Sequence, residues 1–294
     1  MCDNQGPEQV KNVKCIAVDG TTATLSWSDV SDDDISYFVV ECKQSDGVWK
    51  SVSRTSTNLG VNLSGLTPEH DYVYRVIGYD KRSNRGTPSE EITVTTLKDT
   101  ICPKVTKITP DPGYFKSEIN LRFTAEDDYR VKSIEIQTST DKESWKTVSE
   151  IKATGESAKC TFDCKLDLKN YEEGSVFVRA KVYDSYGNVT EDKDLTCYEY
   201  VVDRTAPIQP TGVTASSGET EGGSSFVNIS WNAITDDNSF AYYRVYKSNS
   251  ADGEFTLLKN NVKTVNTYDE NVDFSATYYY KVEAVDLAGN VGKQ

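Results

Sequence analysis

The strongest constraint on this chain is that it repeats itself. Three phrases match: Tyr72-Val-Tyr-Arg-Val-Ile-Gly-Tyr-Asp80, Val176-Phe-Val-Arg-Ala-Lys-Val-Tyr-Asp184 and Tyr278-Tyr-Tyr-Lys-Val-Glu-Ala-Val-Asp286. Each alternates in the period of two that marks a half-buried strand. Their final aspartates recur 104 and then 102 residues apart (80 to 184 to 286). A period of that length implies tandem units rather than one large core. Three units of about 100 residues fit a chain of 294, and each is long enough to bury a core of its own. A second repeat, Asp3-x-x-x-Pro7, Asp99-x-x-x-Pro103 and Asp203-x-x-x-Pro207, places the limits at 1–98, 99–203 and 204–294. Proline suits such an entrance because it stiffens a linker without using a ladder donor.

The units are expected to be all-β. The chain holds 18 Tyr against one Met and one His, and aromatic and β-branched side chains fit a pleated, half-buried surface. No helix-period segment of useful length is present. Acidic turns recur at Asp32-Asp33-Asp34, Glu126-Asp127-Asp128 and Asp236-Asp237-Asn238, each ahead of a strand. The pairs Gly187-Asn188 and Gly289-Asn290 follow the second and third phrases and read as residues that tolerate positive φ in a hairpin turn.

The first and third units carry more specific marks. Leu25-Ser-Trp27 and Ile229-Ser-Trp231 each end a second strand on Trp, and Leu66-Thr-Pro68-Glu-His-Asp-Tyr72 leads into the repeat phrase. That stretch resembles the fibronectin type III turn before its tyrosine corner, matched by Val272 to Tyr278 in the third unit. Asp236 to Tyr246 and Ala284 to Asn290 look like bacterial fibronectin type III repeats. The middle unit has no Trp in Ile119-Asn-Leu-Arg-Phe123 and carries Val176 at the corner position, so it looks more like a bacterial immunoglobulin-like sandwich. The resemblance spans nearly the whole chain. It implies three tandem β-sandwiches in an elongated array, serving as spacers or adhesive modules of bacterial surface proteins or of secreted polysaccharide-degrading enzymes. Catalysis is not expected.

Charge and motifs agree with that expectation. The net charge is −14, divided −4, −6 and −4 among the three units, which disfavours nucleic acid and anionic membrane. No apolar run reaches the ~18 residues of a membrane span. The lone His70 lies in a turn, so there is no Ser-His-Asp arrangement. Seven cysteines leave one unpaired within a monomer. Cys160 and Cys164 sit about 13 Å apart along a strand and cannot bond each other. With Cys15 and Cys42 they read as small buried hydrophobes. No spacing fits structural zinc.

Two binding features remain. In a sandwich of this type the loops after the second and sixth strands lie at the end where the chain enters. Asp99, Asp127 or Asp128, and Asp184 should therefore meet at the first junction, and Asp203, Asp236 or Asp237, and Asp286 at the second. Oxygen ligands from three loops can hold Ca²⁺; alternatively, each Asp simply caps a turn by accepting backbone N–H bonds. Tyr242-Tyr243 and Tyr278-Tyr279-Tyr280 alternate between faces, so some rings should point outward, either as carbohydrate-stacking surfaces or as ordinary strand composition. A carbohydrate or another surface protein is the expected partner, for a monomer or part of a longer chain.

Cys2-Asp3 at the start resembles the acylated cysteine and polar tether of bacterial lipoproteins, which implies a lipid anchor at an extracellular surface; the alternative is a fragment with an arbitrary start. The third unit stops before a seventh strand equivalent to Glu91-Ile-Thr-Val-Thr-Thr96. An unpaired sixth strand leaves an open edge. The third unit is therefore expected to melt first, and extending the chain by one strand should raise its melting midpoint.

Overall fold

A computed structural model describes residues 5–235, 237–273 and 275–292. Apart from one short 3-10 turn, Asp192–Asp194, every regular element is a strand. Three hydrophobic clusters form, and none mixes residues from different thirds of the chain. The fold is three tandem β-sandwiches.

The first sandwich comprises β1 (Lys14–Val18), β2 (Thr22–Ser26), β3 (Ile35–Lys43), β4 (Trp49–Thr55), β5 (Gly60–Ser64), β6 (Asp71–Asp80) and β7 (Ile92–Thr95). They form sheets of order β1-β2-β5 and β4-β3-β6-β7. Leu25, Val40 and Val76 are fully buried between them, and Trp27 meets Phe38 edge-on at 5.6 Å. Where the chain crosses between sheets, the Tyr72 hydroxyl accepts the Thr67 N–H at 2.8 Å. The expected tyrosine corner is present.

The second sandwich departs from this plan. It contains β8 (Lys104–Thr109), β9 (Tyr114–Phe115), β10 (Glu118–Ser139), β11 (Lys146–Asp167), β12 (Gly174–Asp184) and β13 (Tyr198–Val202). The strands β10 and β11 are each 22 residues long, about 70 Å if straight. That is too long for one layer. Their first and last halves serve different faces: Arg122–Glu126 of β10 pairs with β8, whereas Val131–Ser139 pairs with β12. The β10–β11 register breaks between Glu126 and Val131. Glu126-Asp127-Asp128 is therefore a bend inside a continuous strand rather than a turn between two. The bend is made by Asp127, whose Oδ2 accepts the N–H groups of Tyr129 and Arg130 at 3.2 and 3.0 Å. Ile119, Phe123, Ile136, Val178 and Val182 are completely buried in this core.

The third sandwich holds β14 (Thr214–Glu219), β15 (Ser225–Ser230), β16 (Phe240–Ser248), β17 (Thr256–Val262), β18 (Asn266–Asp269) and β19 (Tyr279–Asp286), in sheets β14-β15-β18 and β17-β16-β19. Its corner is made by Tyr278, whose hydroxyl accepts the Asp273 N–H at 3.0 Å. Much of its tyrosine is used internally. Tyr243 is buried rather than exposed and its hydroxyl accepts the Ile234 N–H at 2.9 Å, while the Tyr280 hydroxyl donates to Asp269 Oδ2 at 2.8 Å. Asp269 is wholly buried and its charge is met by Lys247 at 2.7 Å, a pairing that a buried carboxylate needs.

Cys42 and Cys164 are buried, and Cys15 and Cys160 pack against the cores, all as free thiols. Burial pushes the Cys42 and Cys164 thiols up, as expected of inert core sulfur.

Replacing the corner hydroxyls tests this frame. Tyr72→Phe strands the Thr67 N–H and should cost the first sandwich about 1–2 kcal/mol in urea denaturation. Leu121→Ala should cost the second about 2–5 kcal/mol.

Candidate metal centre at the first junction

The repeat phrases end in a loop with its own chemistry. At the end of β12, Asp184 Oδ1 accepts the N–H groups of Tyr186 and Asn188, both at 2.8 Å, and Oδ2 accepts the Asn188 side-chain amide at 2.6 Å. Gly187 supplies the left-handed backbone this requires, with φ 91°. Asn188 is not left-handed, contrary to the expectation from sequence. Its role is in its side chain, whose Nδ2 also donates to the carbonyl of Asp99, in the linker, at 3.2 Å. The third sandwich repeats the device: Asn290 Nδ2 donates to Asp286 Oδ2 at 2.8 Å and to the Asp203 carbonyl at 3.0 Å. In the first sandwich Asn84 Nδ2 likewise donates to Asp80 Oδ2, at 2.7 Å.

At the first junction this loop meets the bend of β10. One carboxylate oxygen from each of Asp99, Asp127 and Asp184 lies within 4.8 Å of the others. Asp99 and Asp184 are each only 1% exposed. Asp99 Oδ1 accepts the Ile101 N–H at 2.9 Å. Its Oδ2 is buried without a hydrogen-bond partner, and so is Asp127 Oδ1. Turn capping therefore accounts for one oxygen of each of these two residues and leaves the other unused. Asp128 belongs to the interface instead, where its Oδ2 accepts the Thr21 hydroxyl at 2.9 Å. Tyr186 also reaches the first sandwich, its hydroxyl donating to the Pro68 carbonyl at 3.1 Å. The linker packs tightly against Gly20, where a Cβ would come within 3.1 Å of Asp99 Cα.

The second junction is built differently among the described residues. Asp286 is held by its own loop much as Asp184 is, its Oδ1 accepting the Asn290 N–H at 2.7 Å and its Oδ2 the Asn290 side-chain amide at 2.8 Å. Asp237 Oδ1 accepts the Ser239 N–H at 2.7 Å, leaving a buried, unpartnered Oδ2. Asp203 Oδ1 accepts the Thr205 N–H at 3.2 Å. No cluster gathers them there. A cation occupies the neighbourhood, with Lys116 Nζ donating to the Gly289 carbonyl at 2.9 Å. Arg204 clamps the linker onto the second sandwich through the carbonyls of Leu168 and Tyr171. Asp236 and Cys2 lie outside the described residues. His70 is an exposed turn residue, edge-on to Tyr72 at 4.8 Å.

Crowding like charges in a buried place has a titration consequence. Burial pushes the Asp127 carboxyl up to about 6, reinforced by Asp128, Asp99 and Asp184 and opposed by the Tyr129 N–H. Burial likewise raises Asp99, with Asp128, Asp184 and Asp19 adding to it and the Ile101 N–H opposing it. Between about pH 4 and 6 the folded chain thus binds protons that the unfolded chain has released, and this contribution to stability falls as pH rises. In chelator, Asp127→Asn should gain stability relative to wild type as pH is raised from 4.5 to 7.5. Urea midpoints at the two pH values check this; a constant difference between the two proteins contradicts it.

Comparison with known proteins agrees with the sandwich geometry. Residues 8–95 match the fibronectin type III domain family model. The chain is 27% identical over 98% of its length to Exoglucanase B of Cellulomonas fimi, and spans 25% of that protein. Among solved structures, the FN1–FN3 domains of chicken CNTN1 align over 98% of this chain and 96% of theirs, with 17% identity and a TM-score of 0.49. The fibronectin type-III domain of human fibronectin type III domain containing protein 3 aligns over 34% of this chain and 94% of its own, with 25% identity and a TM-score of 0.30. The fibronectin type III match over residues 8–95 thus falls on the first sandwich, whose core holds Trp27 and whose corner is made by Tyr72.

Proposed function

We propose that this chain is a non-catalytic spacer of a secreted or surface-borne bacterial protein that acts on polysaccharide, holding other parts of that protein apart. The carrying observation is the hook found at both junctions, where an asparagine of one sandwich's loop grips the linker carbonyl of Asp99 or Asp203. A flexible tether has no use for such a grip. The likeness to Exoglucanase B, along a quarter of that protein, supports an accessory rather than a catalytic role. No Ser-His-Asp arrangement exists, because the single His70 stands in an exposed turn.

Glycan binding is the second reading, favoured by Tyr268 and Tyr279, which are 49% and 39% exposed. These rings lie on different sheets, β18 on one and β19 on the other, and make no common row. Elsewhere cations already cover ring faces. Arg54 sits 3.6 Å over Tyr37, Arg75 4.0 Å over Trp49, Arg179 4.0 Å over Trp145 and Lys247 3.9 Å over Tyr278. A face so covered is not free to stack on a sugar.

Small-angle scattering tests the spacer. Three sandwiches in line should give a largest dimension of roughly 100–120 Å, from strands of up to ten residues plus loops. Asn188→Ala with Asn290→Ala should broaden the distance distribution while leaving each sandwich folded. A compact or already broad wild-type distribution counts against the proposal. Saturable binding on a glycan array would transfer the assignment to the second reading.

A further inference from the structure

The geometry points to a calcium ion bound by Asp99, Asp127 and Asp184, locking the first sandwich to the second. This deepens the spacer reading by giving the first junction a control that the second lacks among the described residues. The cluster of carboxylates does not carry the inference alone. Asp99 is 99% removed from solvent, and its Oδ2 has no hydrogen-bond donor within the chain. The same holds for Asp127 Oδ1. Two orphaned carboxylate oxygens within one ligand group are costly without a counter-charge. A divalent cation between them turns mutual repulsion into attraction.

The donor set selects the ion. Every ligand is a hard carboxylate oxygen, which suits calcium or magnesium rather than zinc or copper. The three oxygens lie within 4.8 Å of one another, close enough to share one such ion. Calcium is the better fit of the two, because it accepts flexible, irregular oxygen sets, whereas magnesium demands near-ideal octahedral geometry and gives up its waters reluctantly. Turn hydrogen bonds already fix each carboxylate, because Asp127 Oδ2, Asp184 Oδ1 and Asp99 Oδ1 all accept backbone N–H groups. Little side-chain freedom remains to be lost on binding.

The ligands also explain the coupling. Asp127 and Asp184 belong to β10 and β12 of the second sandwich. Asp99 belongs to the linker, whose Leu97 N–H donates to the Asp19 carbonyl of the first sandwich at 3.0 Å. An ion shared by all three thus fixes a linker docked on one sandwich to the loops of the next.

The test is titration of the full chain with CaCl₂ at pH 7.5 by isothermal calorimetry, paired with thermal melts in calcium and in chelator. We expect one site per chain and a midpoint raised by roughly 4–8 °C at saturating calcium for the sandwiches flanking the site. Asp99→Asn and Asp127→Asn should reverse the sign: equal to or above wild type in chelator, below it in calcium. Both retain an oxygen for the turn bonds, so loss of folding is not expected. Terbium luminescence excited through Tyr129 and Tyr186, next to the ligands, should appear in wild type and disappear when calcium competes. Absence of heat with equal midpoints at millimolar calcium overturns the site, as does unchanged binding in both variants. One-site binding supports it even if scattering finds the chain bent, a result that counts only against the spacer.

Discussion

Both junctions depend on one arrangement: the aspartate that ends β12 or β19 shares its carboxylate between the N–H and the side-chain amide of an asparagine four residues on, and that amide reaches on to the linker. Asp184 with Asn188 and Asp286 with Asn290 do this with nearly the same distances. A free loop at that position would leave the carbonyl of Asp99 or Asp203 to water, and the linker could pivot. The amide has two N–H donors, so it can serve the carboxylate and the linker at once. The third copy, Asp80 with Asn84, has the same internal bond.

The first junction adds charge to this frame, and the second adds cations. At the first, buried carboxylates press on one another and raise the proton affinity of Asp99 and Asp127. At the second, Lys116 donates to the Gly289 carbonyl and Arg204 to carbonyls of the loop between β11 and β12. One geometry is therefore held by two different kinds of electrostatics. The difference follows from one position: Asp99 is sealed against Gly20, while Asp203 remains half-exposed.

Much of the fold was legible in the chain. The three strands that end in aspartate stand where periodicity and spacing put them, and the Trp27 core and the corners at Tyr72 and Tyr278 where the resemblance to fibronectin type III implied them. Asp99, Asp127 and Asp184 do meet, as the rule about shared loop ends suggested, but Asp127 comes from a bend within β10 rather than from a loop after a second strand. Other features had no local signal. The continuity of β10 through Asp127 depends on pairing with β11 across the bend, which composition cannot report. Asn188 next to Gly187 suggested a backbone preference, but its side chain has the larger role, through a partner 89 residues away. Tyr243 looked as free to face out as Tyr242; burial against Trp231, 5.2 Å away, decided it.

The long strands of the middle sandwich bear on how its layers are joined. In the first and third units no strand is shared between the two sheets, which meet through connecting loops and a common core. In the middle unit β10 and β11 run on from one layer to the other, paired on both sides of the register break between Glu126 and Val131. The layers of the middle unit are therefore joined along the chain's own strands as well as across their shared core.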